Sequence, residues 1–276
     1  MKTVTISHIR ACDVNAASSA ITAGVPAIPS VLGFVEALQR RMGNVKFSGT
    51  AIVFHSCELF GRQGYYKGAR VKKPIIERRP LEKDGSTGAL EESIRSNLDI
   101  SLIIKMEGID LGRKDAEAKF RKDLRNKAMT LAFAGGTITR IGGIWLSDTE
   151  DKRLFRSLCP GYLLVSRKEE FRSLMTEGCD ALSLMVDCCS TQETEDGRKR
   201  LLPGWKIPIN VGFRALTEPT EDNPKARGRW PLAFAEALIT LGECVFVTKV
   251  ANDEKMFWHY DRNGKNYECA CGTKEL

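Results

Sequence analysis

The chain has 276 residues, a hydrophobic content of 42% and a formal net charge of +7 at pH 7. This length allows one large domain or two closely packed ones, and the composition indicates a folded globular protein. No apolar run approaches the ~18 residues of a membrane-spanning helix, and the N-terminus lacks the apolar core of a secretory signal. We therefore expect a cytoplasmic protein.

The nine cysteines are odd in number and scattered, which indicates reduced thiols, several of them core residues. The best metal-ligand candidates are Cys269 and Cys271, with Cys244 and His259 upstream. Their C-x-C spacing is not the usual C-x2–4-C hook, and no second pair lies at a companion spacing. The sequence therefore predicts neither a metal site nor a cofactor.

The N-terminal region predicts a strand, a loop, a helix and a second strand. Residues 2–12 alternate apolar and polar positions, and a loop with two prolines follows. Ser30 is expected to cap a helix that Gly43 ends, because glycine commonly terminates helices. Residues 45–60 predict a longer strand that leads into a basic segment.

The basic segment, residues 62–83, carries eight Lys or Arg against two Glu, so it holds +6 of the net charge of +7. Clustered cations attract polyanions, and aromatic faces stack on unpaired bases. We expect a basic β-hairpin over about residues 58–82 that binds nucleic acid. A solvated basic loop is the alternative. The candidate contacts are Arg62, Tyr65, Tyr66, Lys67, Arg70, Lys72 and Lys73.

The next segment predicts a short helix within residues 84–97 and a strand over 98–108. Residues 113–131 predict a helix with Phe120, Leu124 and Ala128 on one face, followed by a Gly-Gly turn into another strand. The order strand, helix, strand, strand, helix, strand is typical of RNA-recognition and ferredoxin-like folds. We therefore predict an α+β protein whose first domain, residues 1–150, has this fold.

Residues 151–276 are predicted to pack on this domain and to complete the fold. Residues 191–200 are expected to form a polar loop, and the run around residues 205–216 a strand. Residues 226–247 predict a helix with Leu232, Ala235, Leu238 and Ile239 inward. The last segment predicts a hairpin whose turn is supplied by Asn263-Gly264.

Two loops supply further candidate contacts. Short polar side chains in the first loop can bond base edges and phosphates; local turn-making is the alternative. The Gly-Gly turn can let a phosphate approach bare backbone; a simple helix stop is the alternative. With nearby arginines of the neighbouring strands, the candidates are Arg10, Asn15, Ser18, Ser19, Gly135, Gly136 and Arg140.

Ordered blocks across most of the chain resemble one known family. They are NAASSAITAGVPAIPSVLGFVEALQRR, KDGSTGALEE, AMTLAFAGGTI, LCPGYLLVSR and PGWKIPINVGFRAL. Their identity and order are similar to the Cas-five-type, or Csy-two, subunit of type I-F CRISPR surveillance complexes. One departure is Glu36, which stands where the family's helix signature has a histidine.

The resemblance implies a modified RNA-recognition fold with a long hairpin thumb and no catalytic residues. It implies one copy per complex, bound to the 5′ handle of the CRISPR RNA and paired with a large subunit of the Csy-one type. It also implies contact with a backbone subunit of the Csy-three type and a part in the recognition of target DNA. The basic hairpin would be the thumb.

Two other functions fit the same residues. Some Cas-five-type proteins cut RNA without a metal, and this chain offers Tyr65, Tyr66, Lys67 and His55 for acid–base roles. Alternatively, the chain is the multi-copy backbone subunit of a divergent complex. Product analysis in EDTA separates the first alternative, and subunit stoichiometry separates the second.

Overall fold

The computed structural model describes residues 2–43, 45–66, 69–78, 81, 84–108, 114–148, 152–194, 197–221, 231–250 and 254–272. The helices in these ranges are α1 Ile28–Met42, α2 Lys114–Met129, α3 Lys152–Ser157, α4 Lys168–Leu174 and α5 Ala181–Cys189. The strands are β1 Lys2–Asn15, β2 Lys46–Leu59, β3 Arg62–Tyr66, β4 Ala69–Lys73, β5 Ile75–Arg78, β6 Leu90–Ser93, β7 Arg95–Glu107, β8 Ala132–Phe133, β9 Gly136–Asp148, β10 Tyr162–Ser166, β11 Gln192–Thr194, β12 Gly197–Lys199, β13 Lys206–Ala215, β14 Ala235–Phe246, β15 Trp258–Asn263 and β16 Asn266–Cys271.

A single large antiparallel sheet dominates this mixed α/β protein. Its ten strands follow the order β10-β14-β13-β16-β15-β2-β7-β1-β9-β8. The few helices and the antiparallel sheet agree with the predicted mixture of helices and strands. No helix within the described ranges is both long and apolar enough to cross a membrane.

Four central strands, β9-β1-β7-β2, carry the helices of the N-terminal half. Helix α1 connects β1 to β2, and α2 connects β7 to the short β8 before β9. In chain order the central strands therefore lie fourth, first, third and second across the sheet. All their pairings are antiparallel, with bulges in β1 that interrupt the side-chain alternation.

The C-terminal strands continue the same sheet from the free edge of β2. That edge pairs with β15 at Thr50 and with β10 at Val53 and Phe54. Because β10 also pairs with β14, the strands β2, β15, β16, β13, β14 and β10 close into a ring. The predicted division at residue 150 stays a prediction.

Apolar clusters lie on both faces of the central strands. Ile52 belongs to the cluster under α1 and α2, whereas its neighbours Ala51 and Val53 belong to a second cluster with α3. Successive residues of a strand point to opposite faces, so the second cluster lies on the face away from α1 and α2. This second cluster covers only part of that face, and the next inward position along β2 is the half-buried His55.

Outside the basic segment, whose hairpin stays a prediction, the predicted strands and helices of the N-terminal half are confirmed, with one exception. The helix expected within residues 84–97 is absent; Leu90–Ser93 forms β6, paired with β5. Helix α1 also begins earlier than expected, with Ala27 as its N-cap. Ser30 lies in its first turn, where its hydroxyl donates to the Ala27 carbonyl at 2.6 Å.

In the C-terminal half, the predicted helix over residues 226–247 is wrong throughout its described part: Leu232 pairs with Thr220 in an isolated bridge, and Ala235–Phe246 forms β14. Residues 226–230 of this prediction lie outside the described residues. The β13–β14 packing is close at Gly242, where a side chain would lie 2.8 Å from Ile209 of β13. Residues 191–200 contain the β11–β12 ladder rather than only a loop. The closing hairpin is confirmed, with its turn one residue later, at Gly264-Lys265.

The cysteines are all free thiols, as predicted from their scatter. Cys188 and Cys269 are buried in apolar clusters. Burial raises the pKa of the Cys244 thiol to about 11 and also raises the pKa of Cys269. These thiols therefore stay protonated at neutral pH.

Candidate nucleic-acid interface

The β3–β4 ladder carries most of the basic segment that the structure describes. Its register pairs Arg62 with Lys73, Gln63 with Lys72 and Tyr65 with Arg70. Directly paired residues point to the same side of a ladder. Tyr65, Arg70 and Lys72 therefore share one side, with the Tyr65 ring 66% exposed.

Two glycines lie against Lys73 of the ladder. A side chain on Gly61 would lie 2.5 Å from the Lys73 carbonyl, and one on Gly64 would lie 2.6 Å from Lys73 Cε. The aliphatic part of Lys73 therefore lies over the bare backbone of Gly64. Its side chain covers the second side of the ladder, opposite Tyr65.

The cations of the ladder have no acidic partner among the residues that the structure describes. Arg62, Arg70, Lys72 and Lys73 are all exposed, and the ion pairs of the described residues lie elsewhere. Their charge is therefore available to an external polyanion. Lys67 and the side chain of Tyr66 lie outside the described residues.

A cleft of about 660 Å³ lies where the first loop meets α1 and the β8–β9 turn. Asn15, Ser18, Arg95 and Gly135 all line it, so two of the predicted loops meet at one place. Asn15 is held by two hydrogen bonds. Its backbone N–H donates to the Ala134 carbonyl at 3.0 Å, and its side-chain oxygen accepts from the backbone N–H of Ala17. We call this the Asn15 cleft.

The first loop is held by its own hydroxyl groups. Ser18 Oγ and Ser19 Oγ lie 2.8 and 2.6 Å from Thr22 Oγ1, and Ser19 Oγ also accepts from the Ile21 amide. The Ser18 carbonyl accepts from Asn210 of β13 at 2.5 Å. This bonding favours local turn-making over base reading for the two hydroxyls.

The Gly-Gly turn is a strand-to-strand turn and not a helix stop. Helix α2 ends at Met129, and Phe133 pairs with Gly136 across the turn. Ala134 and Gly135 both have positive φ, +46° and +82°. Gly135 is exposed, whereas a side chain on the buried Gly136 would lie 2.5 Å from the Cys12 carbonyl.

Arg95 is the cleft residue that sequence reasoning missed. It begins β7, directly across from Asn15 of β1. Its Nε donates to Ser93 Oγ at 3.1 Å and lies 4.0 Å from an Asp13 carboxylate oxygen. Nothing in its local pattern marks it, since only strand pairing brings it to Asn15.

Arg10 and Arg140 lie elsewhere, directly paired across β1 and β9. Arg10 Nε donates to Asp99 Oδ2 of β7 at 3.2 Å, and its side chain remains 56% exposed. Neither arginine lines the Asn15 cleft, so Arg140 does not share a site with Gly135. The two arginines belong to a separate polar area, which we call the open end of the sheet.

The open end also contains His8, His55 and Asp99. His8 Nδ1 donates to Asp99 Oδ1 at 2.9 Å, and the two imidazole rings stack with centroids 4.1 Å apart. Burial lowers the pKa of His55, partly opposed by its bond to the Pro160 carbonyl. His55 contacts Ser101, Pro160 and His8, none of which belongs to the β3–β4 ladder.

Comparison with known proteins identifies the class of this chain. The family model described as "CRISPR-associated protein (Cas_Csy2)" matches residues 4–269. The CRISPR-associated protein Csy2 of Pseudomonas aeruginosa (strain UCBPP-PA14) is 31% identical over 292 aligned positions, covering 89% of this chain and 87% of that protein. The chain is thus CRISPR-associated. It belongs to the Csy2 family, which confirms the resemblance to the type I-F subunit and its part in CRISPR antiviral defence.

Proposed function

We propose that this protein is a non-catalytic, RNA-binding subunit of a type I-F CRISPR surveillance complex. It holds the 5′ handle of the CRISPR RNA, pairs with a large subunit of the Csy-one type and contacts a backbone subunit of the Csy-three type. In this arrangement it acts in the cytoplasm and takes part in the recognition of target DNA. The β3–β4 ladder is its thumb.

One observation carries the proposal: the ladder combines exposed cations that lack described acidic partners with an exposed aromatic ring. Arg70 and Lys72 lie on the same side as Tyr65. Cations of this kind bind phosphates, and an aromatic ring beside them stacks on an unpaired base. This combination suits single-stranded RNA better than a protein surface.

The strand order of the central sheet supports an RNA-recognition-like fold. The order fourth, first, third, second, with helices after the first and third strands, is that of the split βαβ unit. In ordinary RNA-recognition domains the face away from the helices binds RNA through aromatic side chains. Here the second apolar cluster covers part of that face. RNA is therefore bound by the ladder, the loops and the open end of the sheet.

The other proposed contacts lie in the Asn15 cleft and at the open end. In the cleft, Gly135 exposes backbone beside Asn15, and Arg95 adds a positive charge. At the open end, Arg10 and Arg140 lie side by side. Arginine forks bind phosphate oxygens well, so both places can hold parts of one RNA strand.

The contacts of His55 support the non-catalytic part of the proposal, since none of them involves a residue of the ladder. An acid–base ribonuclease needs its groups within hydrogen-bond reach of one scissile phosphate. The recorded contacts of His55 are with β1, β7 and Pro160. CRISPR RNA incubated with the protein in EDTA should therefore remain intact, and a 2′,3′-cyclic phosphate product would overturn this part.

The direct test removes the cations of the ladder. Arg70→Ala, Lys72→Ala and Lys73→Ala together should weaken binding of handle RNA and flatten its salt dependence. For a single strand, each phosphate contact contributes about 0.7 to the slope of log binding constant against log salt concentration. Three lost contacts should therefore lower the slope by about 2.

A matched control removes three exposed lysines of α2. These are Lys114, Lys119 and Lys122. Both variants lower the net charge equally, so a general charge effect would change both slopes alike. If the salt-dependence slope of RNA binding falls equally in the two variants, or falls in neither, the ladder does not bind RNA and is a solvated basic loop.

A further inference from the structure

The open end of the sheet brings together two of the three histidines of the chain. His8 of β1, His55 of β2 and Asp99 of β7 each place one potential ligand atom within 4.8 Å of the others. The three strands are neighbours in the sheet, so their backbone hydrogen bonds hold this arrangement in place. Within the described ranges, this is the grouping of His, Cys, Asp and Glu that has metal-ligand spacing.

His55 is held in one tautomer. Its Nδ1 lies 2.8 Å from the Pro160 carbonyl, which can only accept, so Nδ1 carries the proton. Its Nε2 lies 2.7 Å from Ser101 Oγ. Ser101 Oγ accepts a hydrogen bond from the backbone N–H of His8 at 2.9 Å, so its own hydroxyl hydrogen is left to donate to Nε2. Nε2 therefore carries a lone pair. A neutral imidazole whose other nitrogen bonds a backbone carbonyl is the usual form of a metal-binding histidine.

His8 and Asp99 provide the other two ligands. His8 Nδ1 and Asp99 Oδ1 are 2.9 Å apart, while Arg10 contacts only the second oxygen, Oδ2. Two ligands that each bind one ion at about 2.0–2.1 Å lie about 3 Å apart when they are adjacent. The 2.9 Å between these two atoms is the length of their hydrogen bond, and only a small adjustment would bring both atoms onto one ion.

We propose that His8, His55 and Asp99 form a binding site for a divalent transition-metal ion of the zinc class. Two imidazole nitrogens and one carboxylate suit Zn²⁺, Co²⁺ and Ni²⁺. The ion takes the place of the proton on His8 Nδ1, which transfers through solvent to His8 Nε2 so that the imidazole stays neutral. The ion also displaces the Ser101 hydroxyl from His55 Nε2. The His8 side chain is 40% exposed, so the remaining coordination position faces water.

Titration of the purified full-length protein with Co²⁺ tests the site. We expect one equivalent to bind with the weak visible absorption of a nitrogen and oxygen ligand set, and Zn²⁺ to displace it. Because the ion ties three strands together, it should also raise the melting temperature. His55→Asn and Asp99→Asn should each lower the affinity more than about 100-fold, because even outer-sphere changes cost about 10–100-fold.

His8→Asn completes the set, since asparagine tolerates the positive φ of +48° at this position. The matched control is His259→Asn, which changes the third histidine and should bind Co²⁺ like the parent. Thermal melting of each variant without metal identifies any variant that fails to fold. The Co²⁺ affinities of the folded variants then test whether the three residues bind the ion.

Three results would overturn the proposal. One is the absence of a bound equivalent in the parent protein. Another is a strong sulfur-to-cobalt charge-transfer band, which would assign the ion to the cysteines. The third is Co²⁺ binding that is unchanged in folded His55→Asn and Asp99→Asn variants.

Discussion

The β3–β4 ladder and the Asn15 cleft both expose polar side chains, but they differ in what those side chains bond. In the ladder, Arg70 and Lys72 have no ion-pair partner among the described residues. In the cleft, Asn15 bonds Ala17, and Arg95 bonds Ser93 and lies near Asp13. Polar groups that already have partners gain less from a new ligand, since bonds must be exchanged.

The difference assigns distinct roles to the two regions. The ladder can attract RNA over the screening length and hold it by charge, independently of sequence. The cleft is shaped in advance by its internal bonds, so it suits the positioning of a few nucleotides rather than capture. Changes in the ladder should therefore alter RNA binding without altering folding, and changes around the cleft should affect folding as well.

The largest expected effect comes from Gly136→Ala, at the buried glycine next to the cleft-lining Gly135. A side chain there would meet the Cys12 carbonyl at 2.5 Å and the Val14 amide at 2.8 Å, and both are backbone atoms that cannot move alone. Overpacking of this kind costs about 1–3 kcal/mol. Thermal melting should show a clear decrease, with RNA affinity falling only in proportion to the folded fraction.

Gly33→Ala is the control for this substitution. Gly33 lies in α1 and lines the Asn15 cleft, but a side chain there would make an ordinary contact, 3.8 Å from the Tyr260 hydroxyl. Alanine also favours helix by about 0.5–1 kcal/mol. This variant should melt at or above the parent temperature. If Gly136→Ala melted normally but bound RNA poorly, its role would be that of a phosphate seat.

The next effect concerns Tyr65 of the ladder. Stacking of a base on an aromatic side chain contributes about 1–3 kcal/mol when measured by alanine substitution. Tyr65→Ala should therefore weaken RNA binding by roughly 5–150-fold. Because the ring is 66% exposed, its removal should leave the melting temperature unchanged.

Two variants sharpen this test. Tyr65→Phe keeps the ring and should bind RNA like the parent. Phe234→Ala removes another exposed ring, 71% accessible and outside the ladder, and should also bind like the parent. Equal losses for Tyr65→Ala and Phe234→Ala would show a general surface effect and remove Tyr65 from the interface.

Much of the fold could be predicted because its signals are local. The alternation in β1 and the 3.6-residue period in α2 each lie within one short segment. The β14 run could not be read in this way, since its alanines and leucines suit a helix equally well. Only its pairing between β10 and β13, with Gly242 against Ile209, selects the strand.

The candidate sites divide along the same line. The cations of the ladder stand close together in the sequence, so charge counting finds them. Arg95 and Asn15 become neighbours only through the β1–β7 register, and His8 and His55 only through the order of three strands. No local pattern carries those contacts, because they depend on which strands become neighbours.

A moderate effect is expected at Arg95. Arg95→Lys keeps the charge but loses the planar fork that can bind a phosphate through two hydrogen bonds. If Arg95 binds RNA in the cleft, this variant should weaken handle binding by up to about tenfold. Asp13→Asn removes the nearby carboxylate and leaves Arg95 in place, so it should strengthen binding or leave it unchanged. Weaker binding by Asp13→Asn would contradict an RNA contact at Arg95.

The smallest effect is expected at Ser18 and Ser19. Their hydroxyls bond Thr22, so Ser18→Ala with Ser19→Ala should cost about 1 kcal/mol of stability or less. Thr22→Val removes the common partner of both hydroxyls, and a turn-making role predicts that it reproduces the double serine variant. The discriminating measurement is the ratio of affinities for handle and scrambled-handle RNA. If the serine variant loses this discrimination while Thr22→Val keeps it, the serines read the handle, because only then do their hydroxyls act on RNA rather than on the loop.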